Sequence, residues 1–417
     1  MDDLSIFKPL NMLYTEEDMS DYKPGGFHPV SLGDTFKDGR YEVHHKLGWG
    51  GFSTVWLAWD NISEIWVSLK VKSAQGSERN NEPELLRALQ ARGAQDHHIV
   101  QLLDDFVHEG PNGLHQCLVF ELLGPCVDFV AYGLLDDEIF DTKGVLRVTT
   151  QMLARSFPTR QEISLNEADI NGANLAFTSA RLSRLSRAEL FLILGEPEVD
   201  PLVRLDGQTL APGLPKQLIK KADWIDWVDE DEEDIRIIDF GETFFYGARP
   251  EKLSQPGDLR IPETVFTDSF DHRIDLWRAG MTICTMLYGA RPFMLWGGPE
   301  TVIDQMIDFV EELPAEWAAE WAAKWEDMLK GAQWTLEHDI IAKSIRPRLD
   351  KRFHETIRKP ALQCLLPIMR ALIRFRPEDR ISAKEALALI PPGWEDEESD
   401  DSSDEEMDSR VDMQSRL

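Results

Sequence analysis

Apolar and polar positions along this chain change period several times, and the changes mark its elements. Between Tyr41 and Ala58 two β-rich runs flank a glycine-rich break, Gly48-Trp49-Gly50-Gly51, which predicts a β-hairpin. Val67-Ser68-Leu69-Lys70 reads as a strand ending in a lysine, and Asn81 to Leu89 as a helix. Cys117 to Leu123 reads as a buried strand that runs into Gly124; Leu175-Ala176-Phe177 and Ile237-Ile238 are further apolar strands. Later the period becomes helical. Pro299 to Glu312 places Val302, Ile303, Met306, Ile307 and Val310 on one face, with Glu300, Asp304, Asp308 and Glu311 or Glu312 opposite. Trp317, Trp321 and Trp325 repeat every four residues and read as packing. Residues 1–40 hold turn formers (Pro24-Gly25-Gly26) and little periodicity, as in a leader lying on a folded body. Residues 394–417 begin with an acidic run and read as a disordered tail.

Composition narrows the class. With 417 residues, 42% hydrophobic content and 13 Trp, the chain has the material for a large core. No apolar run approaches the ~20 residues of a membrane span, and Met1-Asp2-Asp3-Leu4 lacks the features of a signal peptide. The 4 cysteines (Cys117, Cys126, Cys284, Cys364) form no CxxC, which points to reduced thiols in an intracellular protein. A formal charge of −31 disfavours nucleic acid and favours a basic partner or substrate.

The chemistry starts from Asp169-Ile170-Asn171-Gly172-Ala173-Asn174. A carboxylate five positions ahead of a carboxamide suits a loop whose Asp meets a hydroxyl proton while its Asn holds a metal ion. Glycines in the hairpin would let backbone N–H groups approach phosphate oxygens, with Val55 over an adenine ring. Lys70 would pair with the α- and β-phosphates. Glu82 would hold that lysine, because leucines follow it at +3 and +4; Glu84 is the alternative. The strand into Gly124 would be a hinge whose backbone, at Glu121 and Leu123, reads the adenine edge.

In this order the chain resembles a eukaryotic-type protein kinase, and more narrowly the serine/arginine-protein kinase family, especially its fungal members. The resemblance rests on Asp21-Tyr22, Gly25-Gly26-Phe27-His28 and Gly33-Asp34 in the leader. It continues through Lys46-Leu47-Gly48-Trp49-Gly50, Phe52-Ser53-Thr54-Val55-Trp56-Leu57 and Lys72-Ser73-Ala74. Ser53 stands where kinases usually carry a third glycine, as it does in this family. Asp239-Phe240-Gly241 is the metal loop that the resemblance implies. Ile261-Pro262-Glu263 resembles the Ala-Pro-Glu that closes an activation segment, Asp275-Leu276-Trp277-Arg278-Ala279-Gly280 a supporting helix, and Arg380 the partner of Glu263.

The departures are local. Glu167-Ala168 precede Asp169 where the family has a histidine at the first of those positions, and no histidine stands between His115 and His272. A misread splice junction around residues 155–168 would give the same picture. Ala168 also leaves no arginine beside Asp169 to bind an activation-loop phosphate, so activity independent of phosphate at Thr243, Tyr246 or Ser254 is expected. Residues 179–232 exceed the short hairpin of a minimal kinase and form an insertion. Its Arg/Ser run, Arg181 to Arg187, either opens an amphipathic helix or mimics a substrate in cis; it ends in the acidic Asp229 to Asp234.

The resemblance implies an α+β, bilobal protein kinase-like fold, with a β-rich N-lobe over 41–124 and a mainly helical C-lobe over 125–393. The implied function is an ATP-dependent serine/threonine kinase of basic, Arg/Ser-rich proteins, with splicing-factor phosphorylation as the family's context. Its rival is a nucleotide-binding pseudokinase that docks basic proteins. The candidate catalytic residues are Asp169, Lys70 and Glu82, and Asn174 and Asp239 would bind Mg²⁺. ATP would be covered by Leu47, Gly48, Trp49, Gly50, Gly51, Phe52, Ser53, Thr54 and Val55, and contacted by Lys70, Glu121 and Leu123. A monomer without nucleic-acid or membrane binding, both cytoplasmic and nuclear, is expected. The acidic face of the Pro299 helix is either solvated or a dock for an arginine-rich peptide.

Overall fold

The computed structural model describes residues 4–77, 81–92, 98–133, 141–155, 165–166, 170–228, 234–241, 244–245, 259–267, 270–293, 299–331 and 348–394. The chain divides into two compact units, Met1–Val130 with Arg155–Gln255, and Ala131–Ala154 with Pro256–Leu417.

The first unit is built on a six-stranded antiparallel sheet in the order β1-β2-β3-β4-β6-β5. Its strands are β1 (Thr35–Phe36), β2 (Tyr41–Gly50), β3 (Ser53–Asp60), β4 (Ile65–Lys72), β5 (Leu102–Gly110) and β6 (Gly113–Glu121). The predicted hairpin is present, with Gly50 paired to Ser53 around the tip Gly51-Phe52. Alternation along β3 and β4 sends side chains to two faces, and both are covered. Trp56, Ala58, Val67 and Leu69 join one cluster with Tyr41 and Val119, whereas Leu57 and Trp66 join another.

The second of those clusters is completed by Leu182, Leu190, Phe191 and Leu194, so the segment read as an insertion covers one face of the sheet. Its helix Arg187–Leu194 starts at a capping box. Ser186 Oγ accepts from the Glu189 amide at 3.3 Å and donates to Glu189 Oε2 at 2.6 Å. Of the two readings of the Arg/Ser run, Ser186 thus takes the helix-start role. The leader packs on the insertion in turn: Phe7, Met12, Leu13, Tyr22 and Phe27 share a cluster with Leu202 and Leu218. Burying each such aromatic contributes about 1.5–3 kcal/mol.

Short pairs finish this unit. β7 (Leu165–Asn166) pairs with β12 (Phe244–Phe245), β8 (Leu175–Phe177) with β11 (Ile235–Ile237), and β9 (Val199–Pro201) with β10 (Gln217–Ile219).

The second unit is helical where it is described. Its helix Ile274–Tyr288 is buried from Ile274 through Leu287 and packs on the helix Leu365–Leu372. Gly280 permits that approach, because a Cβ there would stand 2.5 Å from Ile373 Cγ1. The Arg380 guanidinium donates two bonds of 2.7 Å to Glu263, and both side chains are at most 1% exposed. The helix at Pro299 ends at Phe309, three residues short of the predicted Glu312. Phe309 joins Val302, Ile303 and Met306 in full burial, while Ile307 and Val310 are only half-buried. Glu311 is not on a free acidic face; it accepts from Arg374 Nε at 3.0 Å and from the Phe375 amide at 3.1 Å. Trp317 and Trp321 are packed, with Trp317 stacked on Phe266 at 4.9 Å; the Trp325 side chain lies outside the described residues. Among the described residues no helix is long and apolar enough to cross a membrane.

Candidate active site

The site grows from the alternation of β4, which sends Ser68, Lys70 and Lys72 to one side, and from the cross-strand pairing of Val55 with Lys70. The Lys70 ammonium donates to Glu82 Oε1 at 2.8 Å and to Asp239 Oδ1 at 2.9 Å. Glu82 opens the helix Glu82–Arg92 with its carboxylate fully buried, whereas Glu84 is exposed. The same carboxylate accepts from Lys72 Nζ at 3.2 Å and from the Phe240 amide at 3.3 Å.

Electrostatics follow from that geometry. Burial alone would lower the pKa of Lys70, but the charges of Asp239 and Glu82 outweigh it and hold the ammonium above the ordinary lysine range. Lys70 in turn holds the Asp239 carboxyl below its usual value. Lys72 goes the other way: desolvation lowers its pKa more than Glu82 raises it. Asp239 is also strained, with φ at +66° in the left-handed region that non-glycine residues seldom occupy. Its Oδ1 accepts from the Gly241 amide at 3.2 Å, and the side chain remains 51% exposed.

Asn174 reaches the same place through the pairing of Leu175 with Ile237, which brings the ends of β8 and β11 together. The Ile238 amide donates to Asn174 O at 2.8 Å. Upstream, Asn171 Oδ1 accepts from the Ala173 amide at 3.0 Å and fixes the turn. Gly172 lets Asp128 pack close, since a Cβ there would lie 1.9 Å from Asp128 Oδ1. Asp169 lies outside the described residues, as do Glu167, Ala168, Thr243, Tyr246, Ser254, the acidic residues 229–233 and the tail from 395.

Lys70, Asn174 and Asp239 line one cavity of about 540 Å³; Glu82 and Lys72 stand behind its wall. Leu47, Gly48, Trp49, Gly50, Ser53 and Val55 border it from the hairpin. Glu121 and Leu123 also line it. Three residues of the predicted loop do not. Gly51 and Phe52 form the exposed tip, and Thr54 is buried, where its Oγ1 accepts from Trp56 Nε1 at 2.9 Å. Asp239 and Asn174 supply hard oxygen donors at the cavity wall, a set that fits Mg²⁺, which takes one or two carboxylates and completes its shell from phosphate and water. Sequence reasoning gave no role to Lys72, although its i+2 spacing from Lys70 signalled the shared face. It also missed Cys126 and Phe129, and Lys221, Ala222 and Trp224 from the insertion, which line the cavity with no local motif to announce them.

No family model matches the chain. Among curated proteins it is 49% identical over 115 residues to the protein kinase dsk1 of Schizosaccharomyces pombe, a stretch covering 26% of this chain and 21% of that protein. It is 42% identical over 118 residues to the serine/threonine-protein kinase SKY1 of Saccharomyces cerevisiae, covering 26% and 16%. With SRSF protein kinase 3 of Homo sapiens it shares 47% over 115 residues, covering 26% and 20%. Over that stretch the chain is a homologue of the SR-protein kinases. The match spans about a fifth or less of those relatives' own lengths. A crystal structure of a kinase domain superposes with a TM-score of 0.60 at 16% identity, covering 86% of this chain and 96% of the other. The fold is that of a protein kinase domain, as the sequence resemblance implied.

Proposed function

We propose that this protein is an ATP-dependent serine/threonine protein kinase that phosphorylates serine in basic, Arg/Ser-rich proteins. One observation carries the reading. Lys70 is held between Glu82 at 2.8 Å and Asp239 at 2.9 Å on the wall of a cavity bordered by the glycine-rich hairpin. Lys70 would position the α- and β-phosphates, and Glu82, whose other oxygen accepts from Lys72, would keep its ammonium in place. Asp239 and Asn174 would hold Mg²⁺, which when bound neutralises charge on the phosphates. Asp169, assigned from sequence, would orient the substrate hydroxyl. Alignment and charge stabilisation then supply most of the acceleration. The formal charge of −31 favours an arginine-rich substrate, and relatives named SRSF protein kinases support the same class.

The test is transfer of label from radiolabelled ATP with Mg²⁺ to an Arg-Ser repeat peptide, with Asp169→Ala as control. Incorporation by the wild type and none by the variant is expected. Nucleotide binding without transfer by the wild type would replace this reading with a non-catalytic scaffold.

A further inference from the structure

The insertion does more than cover the sheet: one of its segments runs along the nucleotide cavity. Lys221 forms a parallel bridge to Lys46, and the Ala222 amide donates to Lys46 O at 2.8 Å, directly before the Leu47-Gly48 edge of the cavity. Lys221, Ala222 and Trp224 thereby become cavity wall. Trp224 is only 9% exposed and sits at φ +50°, a left-handed conformation in which a bulky side chain is a genuine outlier. Trp224 and Asp239 are the two cavity-lining residues among the described non-glycine residues with positive φ. Such strain concentrates where a side chain must be aimed at a ligand. The ring is braced edge-to-face by Trp227 at 5.7 Å, and Trp227 closes on the hinge so tightly that a Cβ at Gly124 would stand 2.3 Å from it. Trp224 is thereby joined through Trp227 to the Gly124 side of the cavity.

We infer that Trp224 of the insertion is a specificity-determining residue of the nucleotide site, forming an aromatic wall for the nucleobase end of an adenine nucleotide. This rests on the proposed kinase reading, since it assigns the cavity to ATP. Packing alone would explain burial of an indole; it does not explain why a tryptophan stands at a backbone position suited to glycine. The aromatic face offers a dry surface on which a base can stack.

The experiment titrates Mg²⁺-ADP and, separately, adenosine into full-length wild type, Trp224→Gly and Trp224→Phe by calorimetry, with melting temperatures taken without ligand. Glycine relieves the backbone strain but deletes a buried ring, so the melting temperature of Trp224→Gly is expected to fall, and Trp224→Phe, which keeps an aromatic ring in the cluster, gives the comparison in a better-packed protein. About a tenfold or greater loss of affinity is expected for Trp224→Gly, equal for ADP and adenosine, with substantial recovery in Trp224→Phe. Affinities within twofold of wild type, whatever happens to the melting temperature, would overturn the inference and leave the kinase reading standing. A loss confined to ADP would overturn the nucleobase assignment. A wild type that binds neither ligand would overturn the kinase reading and this inference together.

Discussion

Lys70→Met tests the centre of the site, because methionine keeps the volume of the lysine stem and removes only the ammonium. Glu82 would lose its 2.8 Å partner while its carboxylate stays fully buried, retaining Lys72 at 3.2 Å and the Phe240 amide at 3.3 Å. Removing one member of a buried ion pair costs about 3–5 kcal/mol, and the two surviving donors bring the estimate to about 2–3 kcal/mol. Asp239, 51% exposed, adds little to that loss because solvent screens it. Phosphoryl transfer should fall further, by about 10²–10³ in kcat, the effect of deleting one preorganised charge from a transition state. The assay pairs urea melts with initial rates on an Arg-Ser peptide. The double variant Lys70→Met/Glu82→Gln should regain stability over the single one, because the buried negative charge that lost its 2.8 Å partner is removed, yet it should stay inactive. Unchanged melts and rates in Lys70→Met would refute the reasoning. So would a double variant whose losses simply add.

Three further outcomes follow from the structure. His28, His108 and His115 pack together with ring centroids of 4.6 and 5.1 Å from His28, and burial lowers all three pKa values, that of His28 to about 3. Between that value and the unfolded histidine value near 6.5, only the unfolded chain binds the proton, so stability is full above pH ~6.5 and falls as pH drops, by roughly 2 kcal/mol from His28 alone at pH 5. Melts at pH 7 and 5 should show that drop in wild type and a smaller one in His28→Asn. Arg380→Ala should destabilise by about 3–5 kcal/mol, since it strands the buried Glu263, whereas Arg380→Met with Glu263→Leu should recover much of it in urea melts. Gly172→Ala should cut activity at least tenfold with a modest melting shift if the turn that presents Asn174 gives way, and leave it near wild type if the Asp128 carboxylate, 1.9 Å from the added Cβ, swings aside instead.

What could be read from the sequence is what short range dictates. Gly50 and Ser53 close the hairpin because the glycine-rich break interrupts two β-rich runs, and period two along β4 already sets Lys70 and Lys72 on one side. Glu82 was separable from Glu84 by counting to Leu85 and Leu86, which bury the helix face that carries it. The helix at Pro299 was legible as a helix, yet its end was not. Val310 continues the apolar period, and the competing choice, Glu311 turning to Arg374 and the Phe375 amide, depends on residues more than sixty positions away.

Lys46 shows why the rest stayed hidden. It is 1% exposed, and its ammonium donates to Glu16 at 2.9 Å, to Glu17, and to Ile219 O at 3.2 Å. Strand alternation could not assign it a face, because β2 changes register between Val43 and His45 and again between Lys46 and Gly48. Each irregularity resets which side chains point inward, so a buried lysine is indistinguishable in sequence from a solvated one. Its partners come from the leader and the insertion, whose own apolar residues make sense only against each other, as Phe7, Met12 and Phe27 do against Leu202 and Leu218. Those apolar residues meet partners almost two hundred positions away, so both segments look like loose additions until the chain is folded. Once folded, they meet on the strand that leads into Leu47 and Gly48. The lysine whose ammonium those carboxylates neutralise also accepts, through its backbone carbonyl, from Ala222, beside the stretch that lines the cavity.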